Sequence, residues 1–215
     1  WHLLVSNRVL RTAFVENRRT GARLTPTGDD FMLRIGHAQT IGWAPELKQP
    51  RDTYAPYVVR DGVTVTPDVC QPVRLIRGFR RWTFMLHMPV MNCNIYLTFA
   101  AARGAPWLRR RIALQSCDER PLATDQAALH LRWMLPARST LGGQGQPLWL
   151  DDTWFMALEN PAGDNVVEDG AVTPKQYVGS TFDMTPLALD ALVIGGGATG
   201  AVRQVFDDYV ASIRR

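Results

Sequence analysis

Residues 147–163 read Pro-Leu-Trp-Leu-Asp-Asp-Thr-Trp-Phe-Met-Ala-Leu-Glu-Asn-Pro-Ala-Gly. From Trp154 to Glu159 the residues alternate. Trp154, Met156 and Leu158 fall on one face, and Phe155, Ala157 and Glu159 fall on the other. A period of two is the pattern of a β-strand, because successive side chains leave a pleated backbone on opposite sides. Asn160-Pro161-Ala162-Gly163 ends the pattern, since proline lacks a backbone donor and keeps the preceding residue out of the helical region. Glu159 and Asn160 therefore stand where a strand gives way to a loop, with Trp149, Trp154 and Phe155 close in sequence. Aromatic faces beside a few polar groups at a loop edge suit the binding of sugar rings. The same composition also builds an ordinary sheet core, which is the commoner use of buried aromatics.

The pattern continues outward on both sides. Upstream, Trp82, Phe84, Leu86 and Met88 alternate with Thr83, Met85 and His87, and Ile95, Leu97 and Phe99 alternate with Tyr96 and Thr98. Further strands are predicted over residues 5–16, 22–25, 31–35, 109–114 and 129–135, with a turn at 17–21. Asp61-Gly62, between apolar runs at 57–60 and 63–66, is a two-residue hairpin signal. Residues 36–56 have no period and contain Pro45, Pro50 and Pro56, so they read as a long loop around Trp43. Downstream, residues 177–182 and 187–194 read as strands. Gly142-Gly143-Gln144-Gly145 is a flexible link into the opening stretch. Only the end is helical in pattern: Val202, Val205, Phe206, Tyr209, Val210 and Ile213 recur at helical spacing. Many short strands and one terminal helix predict an all-β antiparallel sandwich of two sheets.

Composition agrees with a globular domain. Of 215 residues, 46% are hydrophobic and 20% charged, enough apolar material for a sizeable core. No run approaches the ~18 apolar residues that a membrane span needs, so no membrane partner is expected. The chain begins at Trp1 without a signal peptide and reads as a mature form or an excised fragment. Its net charge of +4 is carried almost wholly by arginine, with Lys48 and Lys175 the only lysines. The basic clusters are short and scattered, and no helix-turn-helix, zinc-finger or ribonucleoprotein pattern accompanies them. Solvated strand faces explain them better than nucleic acid does. Cys70, Cys93 and Cys117 lack C-x-x-C spacing and neighbouring histidines, so no metal site is expected; one disulfide with a thiol left over is open.

Several motifs invite chemistry. Gly195, Gly197 and Gly200 match G-x-G-x-x-G, but a dinucleotide site needs a further parallel strand after the helix, and the antiparallel pattern upstream favours a plain glycine turn. His87 and His130 lie mid-strand; either one paired with Glu159 would give the acid and base for opening a sugar hemiacetal. Ser116, Ser139 and Ser180 lack a nucleophile elbow. Asp151, Asp152, Glu159, Asp164 and Glu168 are too many carboxylates for a hydrolytic pair to be chosen without geometry.

Taken together, three segments resemble a known family. Val5-Ser6-Asn7-Arg8-Val9-Leu10-Arg11-Thr12-Ala13-Phe14 resembles the opening of the β-supersandwich domain that precedes the barrel in glycoside hydrolases like family 36. Residues 149–161 resemble the aromatic-rich strand of those domains that ends in Glu-x-Pro. Gly200 through Arg214 is similar to the helix that hands the chain to the catalytic barrel. Residues 105–112 also fit a strand where such sandwiches place an apolar–basic pair. Residues 36–56 match no part of that pattern.

The resemblance implies a galactose-mutarotase-like super-β-sandwich over residues 1–199 and a linker helix over 200–215 leading to a barrel beyond this chain. It implies a non-catalytic accessory role in an α-galactosidase-like enzyme, packing on the barrel and lending a loop to the sugar pocket. No catalytic residue, cofactor or metal is expected within the chain, and a secreted or periplasmic setting is expected ahead of a cytoplasmic one. The candidate carbohydrate-contacting residues are Asp151, Asp152, Trp154, Glu159 and Asn160, with Trp149, Trp154, Phe155 and the aspartate pair expected at the edge nearest the barrel. The alternatives are a stand-alone aldose 1-epimerase and a carbohydrate-binding module.

Overall fold

A computed structural model describes residues 2–6, 10–40, 57–128, 133–134, 145–168 and 171–214. In chain order the strands are β1 (His2–Ser6), β2 (Arg11–Glu16), β3 (Arg23–Leu24), β4 (Met32–Thr40), β5 (Tyr57–Val65), β6 (Gln71–Gly78), β7 (Arg81–Met88), β8 (Cys93–Ala101) and β9 (Trp107–Ser116). They continue as β10 (Leu122–Ala128), β11 (Trp133–Met134), β12 (Leu148–Leu150), β13 (Trp154–Leu158), β14 (Asp164–Glu168), β15 (Ala171–Phe182), β16 (Leu187–Ala188) and β17 (Leu192–Gly196). One α-helix, α1 (Val202–Ile213), closes the chain. It is not long and apolar enough to cross a membrane.

The fold is an antiparallel β-sandwich. An eight-stranded sheet runs β12-β13-β17-β9-β8-β7-β6, with β16 continuing beside β9. A six-stranded sheet faces it, in which β15 holds β14 on one side and β10 and β11 on the other, followed by β4 and β5. A small sheet of β1, β2 and β3 completes the body. The main core lies between the large sheets, where Leu33, Ile35 and Leu122 of one meet Leu97, Ile112, Trp154 and Ile194 of the other.

The quoted stretch decides this architecture because β13 is buried on both faces. Trp154 and Met156 point into the main core, while Phe155 joins a second cluster with Val193, Val202 and Tyr209. The second cluster exists because α1 lays its apolar stripe over the outer face of β13 and β17. Phe206 contacts both Phe155 and Trp149, with centroids 5.1 and 5.4 Å away, and Tyr209 contacts Trp107 at 5.7 Å. The glycines of the G-x-G-x-x-G match belong to the same packing. Gly195 and Gly196 pair across the sheet with Phe155 and Trp154. A Cβ on Gly195 would stand 2.0 Å from the Phe155 ring, and one on Gly196 would stand 2.8 Å from that of Trp154. β17 is antiparallel to both neighbours, so these glycines make room for aromatic rings and then turn into α1.

Several sequence expectations change. Asp61-Gly62 is no hairpin turn: it lies inside the continuous strand β5, where the register with β4 shifts opposite Gly36. A bulge of two residues against one absorbs the positive φ of Asp61, 49°. Gly36 is needed there, since a Cβ would meet Val59 at 2.4 Å. Residues 36–40, expected to be loop, extend β4. The strand predicted over 187–194 divides into β16 and β17, with Leu189 to Ala191 between them. β6 and β10 form where no strand was expected. The rest of the expected loop at 41–56, including Trp43, lies outside the described residues, as do His130, residues 142–144 and most of 129–135.

Not every arginine is a solvated surface charge. Arg110 is wholly buried beside Asp30, with Nη2 3.2 Å from Oδ1, and also donates to the Asp30 carbonyl. The Thr12 amide donates to Asp30 Oδ2 at 2.7 Å, which ties β2 to the pair. Burial pushes the Asp30 carboxyl above its ordinary range, opposed by the Arg110 charge. Cys70, Cys93 and Cys117 are all free thiols.

Candidate functional site

The five candidate residues occupy three places. Asp151 and Asp152 form the connection between β12 and β13, both exposed and both at φ 49°. The left-handed region is costly for most side chains and least so for Asn and Asp, so the aspartate pair meets a turn requirement. The turn closes through Thr153 N–H to the Leu150 carbonyl, 3.2 Å, and Gly200 N–H donates to the Asp152 carbonyl at 3.1 Å. Trp154 is 3% exposed and sits in the core between the sheets. Its ring lies over Gly196 and presents no open face. Phe155, fully buried, and Trp149, half-buried, lie beneath α1 of the same chain. These aromatics are therefore not at an exposed edge.

Glu159 and Asn160 occupy the opposite end of β13 from the aspartates, and their side chains part company. Glu159 Oε1 accepts from Arg109 Nε at 2.6 Å and from the Tyr209 hydroxyl at 2.6 Å. Its Oε2 lies 3.8 Å from Arg111 Nη2. β9 supplies the two arginines on its outward face, because Arg109 and Arg111 are two residues apart. α1 supplies Tyr209 from its apolar stripe. With only 18% of its side chain exposed, Glu159 joins strand, strand and helix at one point. Burial first, then the hydrogen bond and charge of Glu159, push the Tyr209 hydroxyl well above the ordinary tyrosine range. The neighbouring carboxylate raises the Arg109 guanidinium against the opposing effect of burial.

Asn160 turns the other way. Its Nδ2 donates to Asp190 Oδ2 at 2.9 Å, and its Oδ1 accepts from Ala162 N–H at 2.8 Å, which shapes the loop after β13. Asn160 and Asp190 line an open cleft of about 180 Å³ with Gln176, Ser180, Val178 and Leu187. Gln176 is 2% exposed and its Oε1 has no hydrogen-bond partner among the described residues. Two carboxamides, a hydroxyl and a carboxylate over aliphatic side chains form a set able to meet a hydroxyl-rich ligand.

The acid–base pairing of His87 with Glu159 is not assembled. His87 lies on β7, with Nδ1 3.2 Å from Asn94 Oδ1 and 4.0 Å from Cys117 Sγ. Ser116 donates its hydroxyl within its own turn, to the Asp118 and Arg120 carbonyls. Among the described residues, no group of three or more His, Cys, Asp or Glu side chains could hold a metal ion.

Arg109, Arg111, Tyr209, Asp190 and Gln176 were missed by the sequence reading. The alternation of Arg109 with Arg111 marks one face of a strand, but no sequence signal couples that face to Glu159, 50 positions away. The chain matches no known family model and no curated protein in the comparisons made.

Proposed function

We propose that this chain is a non-catalytic accessory sandwich domain of a carbohydrate-active enzyme resembling the α-galactosidase-like glycoside hydrolases. It packs on a catalytic barrel that follows α1 and can lend the loop after β13 to the sugar pocket. The observation that carries this reading is the engagement of Glu159. The motif glutamate spends one oxygen on Arg109 and Tyr209, and the other faces Arg111. A carboxylate held this way fixes the terminal helix on the sheet and lacks the free proton-transfer partner that a catalytic acid or base requires. The carbohydrate terms rest on the resemblance of the three segments. Asn160 and the cleft it shares with Asp190 are the groups best placed for a sugar hydroxyl; Asp151, Asp152 and Trp154 have structural uses.

The stand-alone epimerase reading has less support, since the hydrogen bonds to Glu159 come from Arg109 and Tyr209 rather than from a histidine. The test compares the 215-residue chain with the protein encoded by the natural reading frame that contains it, over α- and β-linked chromogenic sugars. The chain alone stays at background and the longer protein hydrolyses. Hydrolysis or epimerisation by the chain alone, abolished by Glu159→Gln, overturns the proposal, as does a reading frame that stops after Arg215.

A further inference from the structure

We propose that the β6–β7 hairpin takes up an extended protein segment of the pattern acidic–apolar–apolar–acidic, paired along β6 as a ninth strand of the large sheet. This inference does not depend on the carbohydrate reading.

β6 ends the eight-stranded sheet, with β7 as its one paired strand among the described residues, and all eight of its residues are exposed. Its free edge offers a row of backbone donors and acceptors, the usual template for strand addition. The side chains along that edge are not those of an inert surface. Val73 is 52% exposed, Leu75 39%, Ile76 40% and Phe79, at the hairpin tip, 87%. Natural edges are commonly protected by shortness, charge, proline or a bulge. β6 has Pro72 and a register shift at Val73 near its start, and beyond them Arg74 to Gly78 runs regularly against β7 with Leu75 and Ile76 exposed.

The charges on it are uncompensated. Arg74, Arg77, Arg80 and Arg81 follow one another through the hairpin, and no carboxylate among the described residues forms an ion pair with any of them. Arg80 instead stands over the Phe79 ring at 4.7 Å. The register assigns the order of contacts. Leu75 and Arg77 lie opposite Phe84 and Trp82, toward the core side of the sheet, whereas Arg74 and Ile76 lie opposite Met85 and Thr83, on the other side. Each face of the edge thus presents one cation and one apolar side chain. A strand laid along Arg74-Leu75-Ile76-Arg77 meets them in order with acidic, apolar, apolar and acidic residues. Opposite charges directly across a ladder are favourable and like charges are not.

The same register argues against a second copy of this chain. Directly opposed residues of an antiparallel pair share a face, so two copies would pair about a single residue. About Ile76, Arg74 meets Gly78 and Arg77 meets Leu75, and β6 has no carboxylate to offer either arginine. A nucleic acid strand could use the arginines and stack on Phe79 and Trp82, but it would leave Leu75 and Ile76 in water. An acidic strand covers both.

The test uses three fluorescein-labelled peptides on the 215-residue chain, followed by anisotropy: Thr-Glu-Val-Ile-Glu-Thr, the same peptide with both Glu replaced by Lys, and the same peptide with Ile replaced by Pro. The first binds and slows amide exchange over residues 71–78; the other two bind at least about tenfold more weakly, from like-charge repulsion and loss of a ladder donor. In the Arg74→Glu/Arg77→Glu double variant the preference inverts toward the Lys peptide, a gain that misfolding would not produce. Equal binding of all three peptides overturns the proposal. So does binding of a single-stranded oligonucleotide without the Glu peptide, or a chain already dimeric with β6 amides protected.

Discussion

The two ends of the eight-stranded sheet are built from similar side chains and reach opposite outcomes. At the β12–β13–β17 end, Trp149, Phe155 and Val193 are covered by α1, and Arg109 and Arg111 meet Glu159. At the β6–β7 end, Leu75, Ile76, Phe79 and Trp82 have no such cover, and Arg74, Arg77 and Arg81 have no carboxylate among the described residues. The difference shows what a single amphipathic helix accomplishes. It removes the apolar face from water and supplies the hydroxyl that, with Arg109, satisfies Glu159. Where nothing equivalent is provided, apolar and cationic groups stay available to a partner.

The largest expected effect separates the two ends directly. Phe155→Ala leaves a cavity under α1 and costs about 3–5 kcal/mol, whereas Phe79→Ala changes stability by less than ~0.5 kcal/mol. Urea unfolding of both variants checks this; equal costs would mean that the two ends do not differ in burial. Glu159→Ala comes next. It strands two arginines and a buried hydroxyl, for about 2 kcal/mol, read as a fall in melting temperature. At the other end, Arg77→Ala leaves the melting temperature within a degree or two.

Tyr209 supplies a pH arm. Its folded pKa is raised above the unfolded value of 10.0, so the folded state holds its proton more tightly. Its contribution is therefore complete below pH 10 and falls as pH rises beyond it. Tyr209→Phe costs about 1 kcal/mol at neutral pH and flattens the alkaline loss, measured by unfolding between pH 8 and 11. The thiols sharpen the comparison further. Burial pushes Cys70 and Cys93 up to about 12, and both flank the uncovered hairpin. In a thiol-labelling time course the exposed Cys117 reacts first, and the other two react only on unfolding. Early labelling of Cys70 would show that the β6 end opens on its own. The smallest effect falls on the turn: replacing Asp151-Asp152 by Asn-Gly keeps stability within ~0.5 kcal/mol, because both residue types accept a left-handed backbone.

Alternation made most of the sandwich legible. The faces of β13, the strands around Trp82 and Ile95, and the stripe of α1 all follow from periods of two and 3.6. β6 was not legible, because a strand exposed on both faces carries no apolar–polar alternation. β5 was misread at Asp61-Gly62, since a bulge and a hairpin turn ask for the same left-handed backbone and only the partner strand separates them.

The amino-acid sequence alone determined the class of fold, the existence of the terminal helix and the special status of residues 147–163, because these depend on local period and backbone preference. Tertiary structure alone decided what each residue of that stretch does. It set Trp154 over Gly196, Phe155 under Phe206, and Glu159 against Arg109 and Tyr209. Those pairings join positions far apart in the chain, and a side chain's role follows from the neighbours that closure of the sheets brings to it.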